Sequence, residues 1–209
     1  MKNIIKDAGT VDVNCMIGRG VDCSYKFSTA AELGAYLKKY HIAKALTASF
    51  MALRWNIAEG NESLVRETEG YDNILRVFII SPHLGTSEMP SRKELKEKLE
   101  RYKVAAVKLY PASSGYPLDS FYAGSLLGLL DEMRMPVLID WDENNFSSFP
   151  KLCSEFKNIP FIILEGGFKK SRIMYPLLEK TENVFFDICR FADSNLIEEI
   201  VIKFGAERL

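Results

Sequence analysis

The sequence predicts one (β/α)8 barrel of TIM type, with seven βα units visible and the eighth strand missing or cut off. Three observations predict it. Apolar runs of strand length alternate with helical patterns almost from end to end, which implies parallel strands joined by right-handed crossovers. Seven such units in series favour a closed barrel over an open sheet. No linker, low-complexity tract or second periodicity divides the 209 residues, so a single domain over 1–209 is expected. A doubly wound open sheet is the alternative.

The first strand is expected at 11–18, Val-Asp-Val-Asn-Cys-Met-Ile-Gly. Ser28 or Thr29 then caps a helix with Glu32 in its first turn and Leu33, Tyr36 and Leu37 on one face. Residues 44–49 read as the second strand, and the charged stretch 54–69 as helical in its second half. Residues 74–81 form the third strand. Pro90-Ser91 opens a helix to Tyr102 whose inner face carries Leu95 and Leu99. The fourth strand, 105–110, is stopped by Pro111 and followed by the most apolar helix, 121–134. The remaining strands are expected at 136–140, 160–164 and 184–189, and the remaining helices at 146–156, 171–181 and 195–204. Gly205 reads as a helix C-cap, and Arg208-Leu209 as the first residues of an eighth strand. A barrel lacking that strand has two unpaired edges. A truncated chain, a covering loop or a partner would each account for this, and a homodimer is one such partner. The loops 82–90 and 112–119 leave the C-terminal ends of strands, where barrels build their sites.

Composition narrows the function classes. The chain is 47% hydrophobic and 26% charged, with 27 basic against 28 acidic side chains. A net charge of -1 offers no broad attraction to nucleic acid or to an anionic membrane. No apolar run approaches the roughly 20 residues that span a bilayer, and the amino terminus has no apolar signal core. The expected partner is a small-molecule ligand. Cys15, Cys23, Cys153 and Cys189 show no CxxC or zinc-type spacing. Cys15 and Cys189 fall in apolar runs typical of buried thiols. Reduced, structural cysteines imply a cytoplasmic protein.

Strand side chains alternate faces, so Asp12, Asn14 and Met16 should point one way, and Lys108 and Tyr110 should share a face. If these faces are interior, the barrel mouth gathers Asp12, Asn14, Lys108, Tyr110, Asp140, Glu165 and Asp187. Buried charges are costly unless paired or bound to a cation. Four readings account for such a cluster. Lys108 among Asp140 and Glu165 would make a self-compensated polar plug. Asp12, Asn14, Asp140 and Glu165 would suit a hard divalent cation, Mg, Mn or Ca. Lys108 could serve as base or Schiff-base amine with Asp140 or Glu165 as acid, needing no metal. The fourth is a non-catalytic ligand pocket. Arg19 and Arg190 each follow a strand and could fork onto a substrate carboxylate, or form surface ion pairs. Tyr110 and Trp141 could wall a binding pocket; for Trp141 ordinary packing is the alternative. Only two histidines occur, His41 after the first helix and His83 in the loop after the third strand, and both read as surface residues.

Several segments also resemble a known family. The opening strand, with Asp12, Asn14, Met16 and Gly18, is similar to the Asp-x-His-x-His-x-Gly strand of the amidohydrolase-related family of metal-dependent TIM-barrel hydrolases and decarboxylases. Ala106-Val107-Lys108-Leu109-Tyr110-Pro111, followed by Tyr116, resembles its Gly-x-Lys-Leu-His-Pro stretch. Pro136-Val137-Leu138-Ile139-Asp140 resembles its Pro-Val-x-x-His strand, and Ile162-Ile163-Leu164-Glu165-Gly166-Gly167 its x-x-x-His-x-Gly-Gly strand. The closing residues 203–209 resemble the segment leading to its final Ser-Asp. The resemblance implies a hydrolase acting on a small carboxylated or cyclic molecule. Asn14, Met16, Tyr110, Asp140 and Glu165 stand where the family has histidines, so the zinc-type site is not retained. The metal site would then be remodelled or degenerate. The alternative is a non-catalytic relative, a ligand-binding or assembly barrel.

Overall fold

The computed structural model describes residues 9–19 and 27–209. Cys23, Gly20 and the first eight residues lie outside them. The described chain runs β1 (Thr10–Ile17), α1 (Ala30–Lys39), β2 (Ile42–Ser49), α2 (Phe50–Arg54), α3 (Ile57–Glu67), β3 (Ile74–Ile79), α4 (Arg92–Arg101), β4 (Ala106–Leu109) and α5 (Ser120–Met133). It continues with β5 (Val137–Asp140), α6 (Phe149–Glu155), β6 (Phe161–Leu164), α7 (Ser171–Lys180), β7 (Val184–Phe186) and α8 (Leu196–Phe204). Each strand is followed by a helix. The chain divides into two compact units, one running to Ile80 with Gly85–Val107, the other made of Ser81–Leu84 and Lys108–Leu209.

In the first unit, β1 pairs with β2 and β2 with β3, all parallel. The Ala105 N–H, at the entry to β4, donates to the Arg76 carbonyl of β3 at 2.9 Å. Helix starts follow local chemistry. Thr29 accepts the Glu32 N–H at 3.2 Å, Asn56 accepts the Glu59 N–H at 2.9 Å, and Ser91 with Glu94 forms a capping box. Gly60 lets α3 approach α2, because a Cβ there would lie 2.1 Å from the Ala52 nitrogen. The next residue, Asn61, is buried and bridges to β3. Its Nδ2 donates to the Ile79 carbonyl at 2.8 Å and its Oδ1 accepts the Ile79 N–H at 3.1 Å.

In the second unit β5, β6 and β7 pair parallel, with Asp140 beside Leu164 and Ile163 beside Phe186. All of β4 and residues 137–139 of β5 are buried, as strands covered on both faces must be. This is why they read as unbroken apolar runs. The core includes Leu126, Leu130, Ile139, Phe161 and Phe186, each at most 1% exposed. Phe149 meets Phe161 edge-on at 5.3 Å between ring centres.

Several expectations need correction. The stretch after β2 holds two helices, the first beginning at Phe50. The helix expected from 146 begins at Phe149, with Pro150 in its first turn. β7 ends at Phe186, so Cys189 leaves the sheet and is exposed, whereas Cys15 and Cys153 are buried. Arg208 starts no strand. It sits in a 3-10 turn, and its guanidinium donates to the carbonyls of Thr181 (2.9 Å) and Val184 (2.7 Å). The strict alternation of β1 also fails. From Asp12 to Cys15 it advances three residues while β2 advances two, from Ala45 to Thr47. This bulge brings the Asp12 side chain to the Cys15 thiol.

Replacing Asn61 by Ala leaves both Ile79 backbone groups buried without partners. Urea unfolding of Asn61→Ala is expected to show a loss of about 2–3 kcal/mol.

Candidate active site

The charged centre of the second unit is built at the C-terminal ends of its strands. Lys108 is the third residue of β4 and only 3% exposed. Its Nζ lies 2.8 Å from Asp140 Oδ1 at the end of β5 and 5.1 Å from the Tyr110 ring centre. Lys108 and Tyr110 thus do share a face. The Lys108–Asp140 contact is an ion pair by distance, but its angles are not those of a hydrogen bond, and no hydrogen-bond donor completes Asp140 Oδ1. A lysine this deep is tolerated because a carboxylate and an aromatic face replace its water.

Glu165 follows β6 directly, in the left-handed region at φ 57°. Its carboxylate turns to Arg190, 3.1 Å away, and Arg190 is itself left-handed at φ 62°. Two non-glycine residues in that region, joined by their side chains, are a cost concentrated at one place. Lys108 is therefore paired with Asp140, and Glu165 with Arg190. The latter pair is largely solvated and contributes little to stability.

Asp187, the residue after β7, connects the two. Its Oδ1 accepts the Glu165 N–H at 3.0 Å, and its own N–H donates to the Ile163 carbonyl at 3.0 Å. Burial pushes its carboxyl up to about 6, opposed by the Glu165 and Cys189 N–H groups and reinforced by the charges of Glu165 and Asp140. The sequence placed Asp187 at the mouth but gave it no role. Its signal was the carboxylate closing an apolar run, and the burial that tunes it is invisible in sequence.

The remaining candidates are placed as follows. Trp141 is buried, stacked on Phe146 with ring centres 4.2 Å apart, and the Lys170 ammonium lies 5.1 Å over it. It packs in the interior. Tyr116 is buried too, and burial with the nearby Glu143 charge raises its phenol well above its usual range. Glu143 ties the loop after β5 to the loop after β4, accepting the Ser113 N–H at 2.9 Å and its hydroxyl. In the first unit, Asp12 Oδ1 accepts the Asn14 N–H at 3.1 Å. Burial, then the Asp12 charge and hydrogen bond, raises the Cys15 thiol so that it stays protonated. Arg19 is exposed just beyond Gly18, whose φ is 124°. His83 and His41 are exposed, and His41 follows the α1 C-cap with its N–H on the Lys38 carbonyl at 3.3 Å.

No family model matches the sequence, and no curated protein matches it. Solved structures do. A manganese-bound 5-carboxyvanillate decarboxylase from Novosphingobium aromaticivorans is similar over 96% of this chain and 85% of its own, at TM-score 0.72 and 9% identity. A TIM-barrel protein from Bordetella bronchiseptica is similar over 86% of this chain and 68% of its own, at TM-score 0.62 and 13% identity. The fold is that of a TIM barrel. A dihydroorotase from Campylobacter jejuni shares it at TM-score 0.56 and 16% identity, over 86% of this chain. The chain spans only 53% of that dihydroorotase's length. At such identities the likeness is one of fold.

That fold houses a metal in the manganese-bound decarboxylase, so the donors here matter. Among the described residues no three His, Cys, Asp or Glu side chains are grouped to hold a metal ion. An ammonium already lies against Asp140, and a guanidinium against Glu165. A divalent cation would have to displace both, and the side chains present do not fit one.

Two outcomes follow. Lys108→Met should cost about 3 kcal/mol by stranding Asp140, and Lys108→Met with Asp140→Leu should recover most of it, read by chemical denaturation. The Asp187 carboxyl resonance should titrate near pH 6. Because the native state holds this proton more tightly than the unfolded chain, its stabilisation is complete below about 3.8 and lost as pH rises through about 6. Wild type should therefore lose stability relative to Asp187→Asn across that window.

Proposed function

We propose that this protein is a small-molecule enzyme of amidohydrolase type, acting on a carboxylated or cyclic compound through Lys108, Asp140 and Asp187 in place of a metal. One observation carries the reading: a buried lysine paired with Asp140 lies in the same charged cluster as a carboxyl whose proton is held to about pH 6. Above that pH Asp187 is a carboxylate able to take a proton from water or from the substrate. Once returned to it, the proton is available to a leaving group. The Lys108 ammonium supplies positive charge for an oxygen that becomes negative in the transition state. Asp140, 2.8 Å away, positions Lys108. Arg190, mostly solvated, is available to a substrate carboxylate if Glu165 releases it. The solved relatives support the substrate class, since they include a dihydroorotase and a 5-carboxyvanillate decarboxylase.

The two ion pairs also favour a second reading, a barrel that binds such a ligand without turnover, because Asp140 and Glu165 are each neutralised by the protein's own cations. One assay separates the readings. The purified protein is tested on lactones, cyclic amides and carboxylated arenes before and after chelation. Turnover should survive chelation and fall by about 100-fold or more in Lys108→Met. Activity lost on chelation and restored by manganese overturns the lysine-centred mechanism. Binding without turnover of any compound selects the second reading.

A further inference from the structure

The second unit also carries an apolar groove of about 290 Å³ between α6 and α7. Phe146 and Pro150 line it from the α6 side, and Ile173, Pro176 and Leu177 from α7. The two prolines have no N–H, so the walls stay apolar down to the backbone. The polar lining is Arg172, Lys180 and Thr181, with no carboxylate. The Thr181 hydroxyl donates to the Leu177 carbonyl at 2.7 Å. Neither Arg172 nor Lys180 pairs with a carboxylate among the described residues. About 12 Å of helix separates these two cations, which puts one toward each end of the groove. Such a groove fits an apolar ridge that carries an acid.

α8 presents a ridge of that kind. Helix positions facing water are ordinarily polar, yet Ile202 is 86% exposed, and Ile197 and Val201 are exposed as well. Glu198 lies one turn before Ile202, on the same side of the helix. The other charges of α8 are engaged within the chain. Glu199 accepts the Tyr175 hydroxyl, and the Lys203 ammonium lies 5.8 Å over the Tyr175 ring. Glu198 pairs with no cation among the described residues. Ile197, Val201 and Ile202 with this one acid are the complement of the groove in polarity and in charge. The ridge does not serve the groove of its own chain. Tyr175 meets α8, with ring centres 6.1 Å apart to Phe204, and Tyr175 does not line the groove. α8 is therefore held on a different side of α7.

We propose that the groove takes the α8 ridge of a second copy of this chain. Ile202 would seat against Ile173 and Pro176, and Glu198 would pair with a groove cation. The contact is heterologous, ridge on one copy and groove on the next, so it makes a ring if the rotation closes and an open chain if it does not. Neither face contains Lys108, Asp140 or Asp187, so association and the chemistry of that centre are separable.

Sedimentation of the intact protein from about 1 μM to about 1 mM tests this. Wild type should associate as concentration rises. Ile202→Glu and Ile173→Glu should each stay monomeric with unchanged melting temperatures, since both side chains are exposed. Mixed one to one, they should form a heterodimer and nothing larger, because one intact groove and one intact ridge remain. Glu198→Arg should weaken association by about fivefold, and adding Arg172→Glu to the same chain should recover part of the loss. A wild type still monomeric at the highest concentration overturns the proposal, as does association that survives Ile173→Glu. A mixture without heterodimer also overturns it, because each face would then pair with its own kind.

Discussion

The ion pair between Lys108 and Asp140 is the constraint on which the centre of the second unit depends. Lys108 comes from a strand with every residue buried, so its charge has no route to water except along its own side chain. Asp140 terminates the next strand and is about a quarter exposed. The pair therefore spans the boundary between the packed core and the strand ends. Burial first, and then the charges of Glu165 and Asp140, work against ionisation of Asp187.

The same arrangement separates this protein from the metal-holding versions of its fold. A divalent ion gathers carboxylates by neutralising them together. Here two organic cations neutralise them one at a time, Lys108 from within a strand and Arg190 from a loop. Charge balance is kept by these two cations.

Much of the architecture was legible in the sequence because its signals are local. Apolar runs marked every strand, and the Thr29–Glu32 and Ser91–Glu94 spacings marked two helix starts that the side chains do cap. The nearness of Lys108 to Asp140 was also legible, since both lie toward the ends of neighbouring apolar runs. Which acid would take which base was not. Glu165 went to Arg190, and both residues adopt left-handed backbone, a conformation that nothing in the sequence around them requires. The early end of β7 escaped notice because Ile188 and Cys189 continue an apolar pattern that the backbone abandons. The tuning of Asp187 depends on burial by residues distant in sequence. The link between the loops after β6 and β7, through Lys169 and Asp193, exists only in the folded chain.

The bulge in β1 bears on how this strand can evolve. A strand's side chains are sorted to two faces by parity alone, and the extra residue between Asp12 and Cys15 changes that parity midway. Everything after it is inverted relative to a sequence-based alignment, so Cys15 and Ile17 enter the core while Asn14 and Met16 are left half-buried. An insertion or deletion of one residue here would exchange those sets without altering any other amino acid. Diversity in this strand's inward-facing chemistry is thus accessible through length, a slower-sampled but more abrupt variable than substitution.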